Sequence, residues 1–394
     1  MSDWINCTLG DIAEVIGGGT PSKSKPEYYE GGTIPWITPK DLSGYPYRYI
    51  ERGENNITEL GLAKSSARML PKGAVLFSSR APIGYVAIAK NPLCTNQGFK
   101  SFICDEKKVN NLFLYYFLKS NLPMIENMAN GSTFKEISGS VAKTIPISLP
   151  PLNIQEKIVS IIGSLDDKIE LNLKTNETLE EMTMTLYKHW FVENGDIEKV
   201  SIEEFGSIIG GGTPKTTVAE YWDGNIPWIS VKDLNSAVII ETEKKITEAG
   251  LNNSSTKLLP SFSTVLSARG TIGNISIIGK EMTMNQSCYA IKAKYELDCF
   301  VFLTLKSSIN TLINQSHGSV FNTITKDTLK SLELPFNKDF AIKFEKKVKP
   351  MFLQILSNTL ENKELQDIRD YLLPRLLSGE IDLSQAEKQV EEVL

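Results

Sequence analysis

The stretch Ile16–Pro21, which reads Ile-Gly-Gly-Gly-Thr-Pro, occurs a second time at Ile209–Pro214. Further along each half, Ile-Pro-Trp-Ile is found at Ile34–Ile37 and again at Ile226–Ile229. Other matched pairs follow in the same order: Lys40 with Lys232, Arg80 with Arg269, and Asn96-Gln97 with Asn285-Gln286. This repeat predicts two similar globular modules in one polypeptide, which suits recognition of a two-part target better than a single catalytic cleft.

The length and composition fit two folded domains. A chain of 394 residues that is 41% hydrophobic is long enough for two ordinary domains and connecting elements. No run approaches the roughly 18 apolar residues of a membrane span, and the first residues lack the pattern of a secretory signal. The five cysteines are scattered without a Cys-x-x-Cys pair, so we expect buried, reduced thiols in a cytoplasmic protein.

Charge is distributed unevenly along the chain. The total is −5, but residues 1–150 carry +3, residues 151–200 carry −5, residues 201–338 are neutral and residues 339–394 carry −3. The excess of acidic residues therefore lies outside the two modules. Because phosphate binding depends on the local field rather than on total charge, this distribution permits a DNA-binding surface on the modules without demanding one.

Two segments, one between the modules and one after them, have helical periodicity. Apolar and asparagine residues recur every seven residues, with a companion row four residues on, as in a coiled-coil seam. The first seam includes Ile158, Leu165, Asn172, Asn176, Leu179 and Leu186, and the second includes Phe344, Met351, Asn358, Asn362, Leu365 and Leu372. Ordinary amphipathic core helices are the alternative.

The central asparagines indicate how the helices pair. Asn172 and Asn176 lie near the middle of one segment, and Asn358 and Asn362 near the middle of the other. Antiparallel helices in register would bring these layers together, so that the amides satisfy one another and fix the register. We predict antiparallel pairing with a pseudo-two-fold axis, parallel pairing being the alternative. A helix of about 38 residues is roughly 57 Å long, enough to hold two modules apart.

Three longer motifs complete the pattern. They are Gly131–Ile137 (Gly-Ser-Thr-Phe-Lys-Glu-Ile), Leu149–Ile158 (Leu-Pro-Pro-Leu-Asn-Ile-Gln-Glu-Lys-Ile) and Arg369–Ile381, which contains Leu-Leu-Pro-Arg-Leu-Leu-Ser-Gly. With the duplicated framework, they make essentially the whole chain resemble the specificity subunit of type I restriction–modification systems. One departure is Leu334–Asn337, a shorter version of the start of the first helix, so the second helix start is less typical.

The resemblance implies two target-recognition domains, each reading one half of an asymmetric bipartite DNA site. The expected fold is α+β, with two similar α/β domains joined by two long antiparallel coiled-coil helices that set the spacer and dock two methyltransferase subunits. Restriction–translocase subunits would join for cleavage. The predicted division is 1–150 for the first recognition domain, 151–192 for the first helical region, 193–338 for the second recognition domain, 339–380 for the second helical region and 381–394 for a C-terminal tail.

Enzymatic chemistry has little support in the sequence. The two histidines, His189 and His317, make neither a histidine metal site nor a Ser-His-Asp arrangement credible. Gly17–Thr20 lacks the spacing of a phosphate-binding loop and predicts a tight turn at a strand end. We expect no cofactor or metal on this chain, and the resemblance puts S-adenosylmethionine, ATP and Mg²⁺ on partner subunits. The alternatives are a self-sufficient DNA adenine methyltransferase and a scaffold that has lost DNA recognition.

Residues found in both copies are the main candidates for DNA contacts. Loop arginines suit a phosphate or a guanine, and Asn-Gln pairs suit either adenine or a tight backbone turn. Surface ion pairs and solvated lysines are the alternatives for the charged residues, whereas Trp36 and Trp228 are expected in the core. The candidates are Lys40, Tyr47, Arg48, Arg80, Asn96, Gln97, Lys135, Lys232, Arg269, Asn285 and Gln286. Base readout is expected where the copies differ, around Tyr45–Tyr49 against Ser236–Ile240.

Overall fold

The computed structural model describes residues 4–129, 135–193, 197–316 and 323–394. His317 and the Gly131–Phe134 part of one motif lie outside the described residues. The chain divides into two compact units, Met1–Glu170 with Glu364–Leu394, and Leu171–Lys363. Each of the two long helices contributes residues to both units.

The first copy of the repeat ends in a long helix. Its strands are β1 (Ile5–Thr8), β2 (Ala13–Gly17), β3 (Ile34–Ile37), β4 (Tyr49–Ile50), β5 (Asn55–Ile57), β6 (Val75–Ser79), β7 (Ile83–Ala89), β8 (Cys94–Thr95), β9 (Lys100–Cys104) and β10 (Pro146–Leu149). Its helices are α1 (Leu9–Ile12), α2 (Glu59–Ala63), α3 (Asn111–Ser120), α4 (Leu122–Asn127), α5 (Gly139–Thr144) and α6 (Leu152–Tyr187).

The second copy has the same plan. Its strands are β11 (Lys199–Val200), β12 (Gly206–Gly210), β13 (Trp222–Ile229), β14 (Val238–Ile239), β15 (Lys244–Ile246), β16 (Thr264–Ser267), β17 (Ile275–Ile278), β18 (Thr283–Met284), β19 (Cys288–Ala293) and β20 (Leu334–Pro335). Its helices are α7 (Glu248–Asn252), α8 (Asp298–Ser316), α9 (Lys326–Lys330) and α10 (Lys338–Ser378), and α11 (Leu383–Glu391) follows in the predicted tail.

The sheets match strand for strand between the copies. A five-stranded sheet runs β2-β9-β6-β7-β4 in the first and β12-β19-β16-β17-β14 in the second. A three-stranded sheet runs β5-β3-β8 in one and β15-β13-β18 in the other, and β1-β10 corresponds to β11-β20. In both copies the edge strand of the large sheet pairs in parallel, β4 with β7 and β14 with β17. The predicted internal repeat is thus confirmed at the level of topology.

Local sequence sets where the long helices begin and end. Pro150 and Pro151 precede α6, and proline restrains the residue before it to an extended conformation, so the helix starts after them. At the end of α10, Gly379 has a φ of 71°, the left-handed conformation that commonly terminates helices. After α6, a π-helical turn at Lys188–Val192 stacks Phe191 on Tyr187 in the core of the second unit, with ring centroids 5.3 Å apart.

The asparagine layer pairs the two long helices antiparallel within the second unit. Asn172 Nδ2 donates to Asn362 Oδ1 at 2.9 Å, and Asn358 Nδ2 donates to Asn176 Oδ1 at 2.8 Å. The residue numbers increase along α6 from 172 to 176, whereas those of the contacted residues on α10 decrease from 362 to 358. The two helices are therefore antiparallel, which confirms the prediction. All four asparagines are buried.

The other predicted seam residues are mostly buried. Fully or nearly fully buried are Ile158, Leu165, Phe344, Leu365 and Leu372. Leu179 and Leu186 are partly buried against the second core. Met351 is only partly buried, because the neighbouring Phe352 is the fully buried residue, packed against Phe302 with ring centroids 5.5 Å apart.

Breaking one asparagine pair tests this layer. We expect Asn176→Leu to lower the free energy of unfolding by about 1–3 kcal/mol, because Asn358 loses a buried acceptor. Changing Asn176 and Asn358 together to leucine should cost less than the single change, since no amide is then left facing an apolar side chain. Urea denaturation measures both, with Thr178→Leu on the exposed face of α6 as control. A double variant less stable than Asn176→Leu would contradict the pairing.

The cysteines depart from the prediction in part. Cys94, Cys288 and Cys299 are buried, whereas Cys7 and Cys104 are partly exposed. Burial raises the pKa of Cys94 to about 11, so this thiol stays protonated at neutral pH.

Candidate nucleic-acid interface

The β6–β7 turn carries Arg80 and is fixed by a buried serine. Ser78 Oγ donates to the Pro82 carbonyl at 2.8 Å and accepts from the Tyr85 N–H at 2.8 Å. The Arg80 guanidinium is partly exposed and lies 3.6 Å from the Glu136 carboxylate. The arginine therefore projects from a hairpin turn whose two sides are tied together by Ser78.

The β16–β17 turn of the second copy is built in the same way. Ser267 Oγ donates to the Thr271 carbonyl at 2.6 Å and accepts from the Asn274 N–H at 2.9 Å. Arg269 on this turn is exposed. The two candidate arginines thus occupy equivalent positions on equivalent hairpins.

The triple-glycine motif packs backbone against the Asn-Gln turn. A Cβ at Gly18 would lie 1.9 Å from the Asn96 carbonyl oxygen, and one at Gly211 would lie 1.8 Å from the Asn285 carbonyl oxygen. Only glycine allows this approach. The motif follows the end of β2 or β12, as the turn interpretation predicts, and Gly19 N–H donates to the Thr95 carbonyl at 2.9 Å.

The Asn-Gln pairs divide their roles. Asn96 Oδ1 accepts from the Gly98 N–H at 2.8 Å, and Asn285 Oδ1 accepts from the Ser287 N–H at 2.9 Å. Of the two roles considered for these asparagines, a contact to adenine and a tight backbone turn, the structure supports the turn for both. Gln97 and Gln286 instead accept hydrogen bonds from the two threonines that end the glycine motif, Thr20 and Thr213.

Trp36 and Trp228 are core residues, as predicted. Their side chains are buried, and each indole N–H donates to the carbonyl of the third glycine, Trp36 to Gly19 at 2.9 Å and Trp228 to Gly212 at 3.0 Å. These tryptophans connect the glycine motif to the small sheet that forms one side of the candidate surface.

Lys40 and Lys232 lie on equivalent 3₁₀ turns, Pro39–Leu42 and Val231–Asp233. Both side chains are exposed. Lys40 Nζ donates to Glu54 at 2.8 Å, and this hydrogen bond raises the pKa of Lys40, which stays charged. An exposed ion pair of this kind contributes little stability, so an incoming phosphate can displace Glu54 at small cost.

In the first unit, several candidates share one groove. The groove has a volume of 660 Å³ and includes Lys40, Arg80, Asn96 and Gln97 in its lining. An adjoining cavity of 600 Å³ is lined by Lys135 together with Arg80 and Glu136. Arg80 therefore lies between the two, and the exposed Lys135 extends the basic surface beyond the groove.

Arg48 does not belong to this surface, and its prediction as a DNA contact is corrected. The side chain is buried, with Nε donating to Glu170 at 2.8 Å and Nη2 paired with Asp167, both on α6. Burial opposes its ionisation, but the hydrogen bonds that Arg48 donates to Glu170 and Asp167 outweigh burial and raise the pKa of Arg48. The adjacent Tyr47 is partly exposed and stacks edge-on against Tyr45, with ring centroids 5.6 Å apart.

A second ion pair continues this network inside the first unit. Asp166 accepts from the Tyr116 hydroxyl at 2.7 Å and from Arg369 at 2.8 Å. Burial and the nearby Asp166 carboxylate raise the pKa of Tyr116, so its hydroxyl remains a donor. The Tyr116 hydroxyl and the Asp166–Arg369 ion pair thus link α3, α6 and α10 in this unit.

The divergent stretch Ser236–Ile240 is also corrected. Ala237, Val238, Ile239 and Ile240 are buried, and two of them form strand β14 of the large sheet. Because the side chains of residues 237–240 are buried, they cannot reach bases, and Ser236 is the one exposed residue of this stretch.

Sequence reasoning missed Asn55, which lines the groove beside Lys40, and its counterpart Lys244. Asn55 is opposite Trp36 in the β3–β5 ladder, and Lys244 is opposite Trp228 in the β13–β15 ladder. The sequence contains a signal for this equivalence, because Ile-Thr-Glu begins two residues after Asn55 and two residues after Lys244.

The described residues contain neither a metal-binding cluster nor a membrane-spanning helix. In residues 4–129, 135–193, 197–316 and 323–394, no cluster of three or more His, Cys, Asp or Glu side chains is arranged to bind a metal ion. Across the same residues, every helix is too short or too polar to cross a membrane.

The duplicated framework matches a known protein family. A family model described as the type I restriction modification DNA specificity domain matches residues 1–181 and, a second time, residues 194–369. The chain belongs to this family. It is therefore a DNA sequence-specificity subunit of a type I restriction–modification system, and the two matches coincide with the two copies of the repeat.

Individual specificity subunits are similar over nearly the whole chain. The type I restriction enzyme MjaIX specificity subunit of Methanocaldococcus jannaschii is 34% identical, covering 97% of this chain and 94% of its own. The HindI specificity subunit of Haemophilus influenzae is 27% identical, covering 97% and 100%. A crystal structure of a type I S subunit from M. genitalium, at 18% identity, covers 95% and 96% with a TM-score of 0.59, which supports the fold.

Proposed function

We propose that each recognition domain reads one half of an asymmetric bipartite DNA site. The observation that carries this proposal is the surface built twice: an arginine on a serine-fixed hairpin, a lysine on a capped 3₁₀ turn and a glutamine held by threonine. Cationic side chains on rigid turns suit phosphates and guanine edges. Because the flanking residues differ between the copies, the two half-sites differ in sequence.

Gel shift of the chain with its methyltransferase partner tests this function. We expect tight binding to duplexes that contain the bipartite site and binding at least roughly a thousandfold weaker to random duplexes. Equal affinity for both would identify a scaffold without sequence recognition. Binding of S-adenosylmethionine to this chain alone would indicate a self-sufficient methyltransferase.

The two arginines provide a residue-level test. If each contacts guanine, Arg80→Ala and Arg269→Ala should each weaken binding by about 1–3 kcal/mol and relax specificity in one half-site only. Uniformly weaker binding to all sequences, with a smaller salt dependence, would instead indicate phosphate contacts. Arg68→Ala, at an exposed position outside the groove, is the control. Unchanged affinity in both variants would exclude these arginines from the interface.

We further propose that α6 and α10 dock the methyltransferase subunits and set the unread spacer. Within the second unit, large apolar side chains are exposed on these helices: Leu171 is 59% exposed, Met182 47%, Leu353 49% and Leu360 47%. Apolar side chains repeated along helix faces favour coverage by another protein. The partners would carry S-adenosylmethionine, and the restriction–translocase subunits ATP and Mg²⁺, so this chain acts without catalysis or a cofactor of its own.

Changing Leu353 and Leu360 together to serine tests the docking surface. We expect the affinity for the methyltransferase subunit to fall by about tenfold or more, because a hydrophobic contact is removed. The free energy of unfolding should fall by much less than for core leucines, since about half of each side chain is already exposed to solvent. Titration of labelled subunits measures the affinity, with Lys347→Ala, at an exposed position on another face of the same helix, as control. Wild-type affinity in the double variant would place the methyltransferase elsewhere.

A further inference from the structure

Strands β5 and β15 begin with different residues at the same place in the two recognition domains. Asn55 starts β5 and pairs with Trp36, and Lys244 starts β15 and pairs with Trp228. Both side chains are exposed. The buried tryptophan fixes the depth and direction of each strand, so the two side chains stand at equivalent points of the surface.

The backbone before each residue is tied to the lysine-bearing turn by the same hydrogen bond. The Glu54 N–H donates to Asp41 Oδ1 at 2.7 Å, and the Glu243 N–H donates to Asp233 Oδ1 at 2.9 Å. Each aspartate also caps its own 3₁₀ turn, accepting from the backbone N–H of Thr38 or Ser230. The two copies therefore have the same backbone arrangement at this point, and they differ in the side chain at the start of the strand.

The two side chains have different hydrogen-bonding capacity. The Asn55 amide both donates and accepts, which matches N6 and N7 of adenine in the major groove. The Lys244 ammonium only donates, which matches the acceptors O6 and N7 of guanine. Lys244 Nζ lies 5.8 Å from the ring centroid of Trp222, an aromatic contact that limits its directions.

We propose that Asn55 and Lys244 are specificity-determining residues, each selecting one base pair in the half-site of its own domain. Asn55 selects A·T and Lys244 selects G·C. The inference rests on the proposed function, in which each domain reads one half-site. The lysine shared by both copies positions the DNA backbone, and the residue that differs between the copies reads the base.

Exchanging the two residues tests the proposal. We express Asn55→Lys and Lys244→Asn separately, in complexes with the methyltransferase partner, and sequence the methylome of the host. Asn55→Lys should change one position of one half-site from A·T to G·C and leave the other half-site unchanged. Lys244→Asn should do the reverse in the other half-site. Methylation of the original site should fall roughly 10- to 100-fold in each variant.

The neighbouring residues supply matched controls. Asn56 and Lys245 are exposed, have the same side-chain types, and face the other side of their strands because side chains alternate. Asn56→Lys and Lys245→Asn should therefore leave the methylated sequence unchanged. If an exchange lowers the melting temperature, Asn55→Ala and Lys244→Ala replace it, and each should relax one position of one half-site.

The outcomes separate this inference from the proposed function. An unchanged bipartite sequence in both exchange variants overturns the base-reading role while the two-domain function stands. Weaker methylation at the unchanged sequence, with a smaller salt dependence for Lys244→Asn, makes that lysine a phosphate contact and also overturns it. If the wild-type chain directs no bipartite methylation, the proposed function itself fails.

Discussion

Alanine at Gly18 or Gly211 is expected to destabilise its recognition domain by about 3 kcal/mol or more and to abolish recognition of one half-site. The new Cβ would lie 1.9 Å from the Asn96 carbonyl oxygen in the first case and 1.8 Å from the Asn285 carbonyl oxygen in the second. The obstacle is backbone, which cannot rotate away as a side chain does. Displacing the Asn-Gln turn would also move Gln97 or Gln286 out of the surface.

The first glycine of each motif is a built-in control. A Cβ at Gly17 would meet nothing within 4 Å, and one at Gly210 would meet only Lys326 and Tyr289 side-chain atoms, the nearest at 3.8 Å. Gly17→Ala and Gly210→Ala should therefore keep near-wild-type stability and specificity. Urea denaturation and methylome sequencing of the four variants give the comparison. Equal stability of Gly17→Ala and Gly18→Ala would show that the close backbone approach is not required.

Replacement of Arg48 by alanine is expected to lower the free energy of unfolding by about 3–5 kcal/mol. The change leaves Glu170, whose side chain is only 12% exposed, without its cationic partner in a largely desolvated position. The Asp167 side chain is 76% exposed and stays solvated, so Glu170 accounts for most of the loss. In urea denaturation, the loss of stability should appear in the unfolding of the first unit.

A double variant separates the ion pair from a DNA contact. Changing Arg48 to Met and Glu170 to Leu removes both charges and should recover most of the stability, because an apolar pair can replace a buried ion pair. Arg68→Ala, at an exposed site, should have little effect. Weaker DNA binding by Arg48→Ala at unchanged stability would restore the interpretation of Arg48 as a base-reading residue.

Local and periodic features of the fold could be predicted from the sequence. The matched motifs gave two modules because equivalent residues build equivalent turns: the tryptophan, the glycines and the Asn-Gln turn recur with the same hydrogen bonds. The seven-residue spacing gave the long helices, and the central asparagines gave their antiparallel order.

Long-range partners that belong to neither the repeat nor the seven-residue pattern could not be predicted. Arg48 and Glu170 are 122 positions apart. No spacing rule connects an arginine in a polar, tyrosine-rich loop of the first module to a carboxylate on the long helix α6. Burial of Val238–Ile240 was misjudged because divergence between the copies was taken as a sign of surface. Asn55 and Lys244 were missed because the connection from the tryptophan to the strand differs in length between the copies.

Methylome sequencing of a host with and without this gene tests the two-domain reading of DNA most directly. We expect methylation that depends on the gene at a bipartite sequence, with two different half-sites separated by base pairs of any identity. A contiguous recognition sequence, or a methylome unchanged by deletion of the gene, would contradict the assignment of one half-site to each recognition domain.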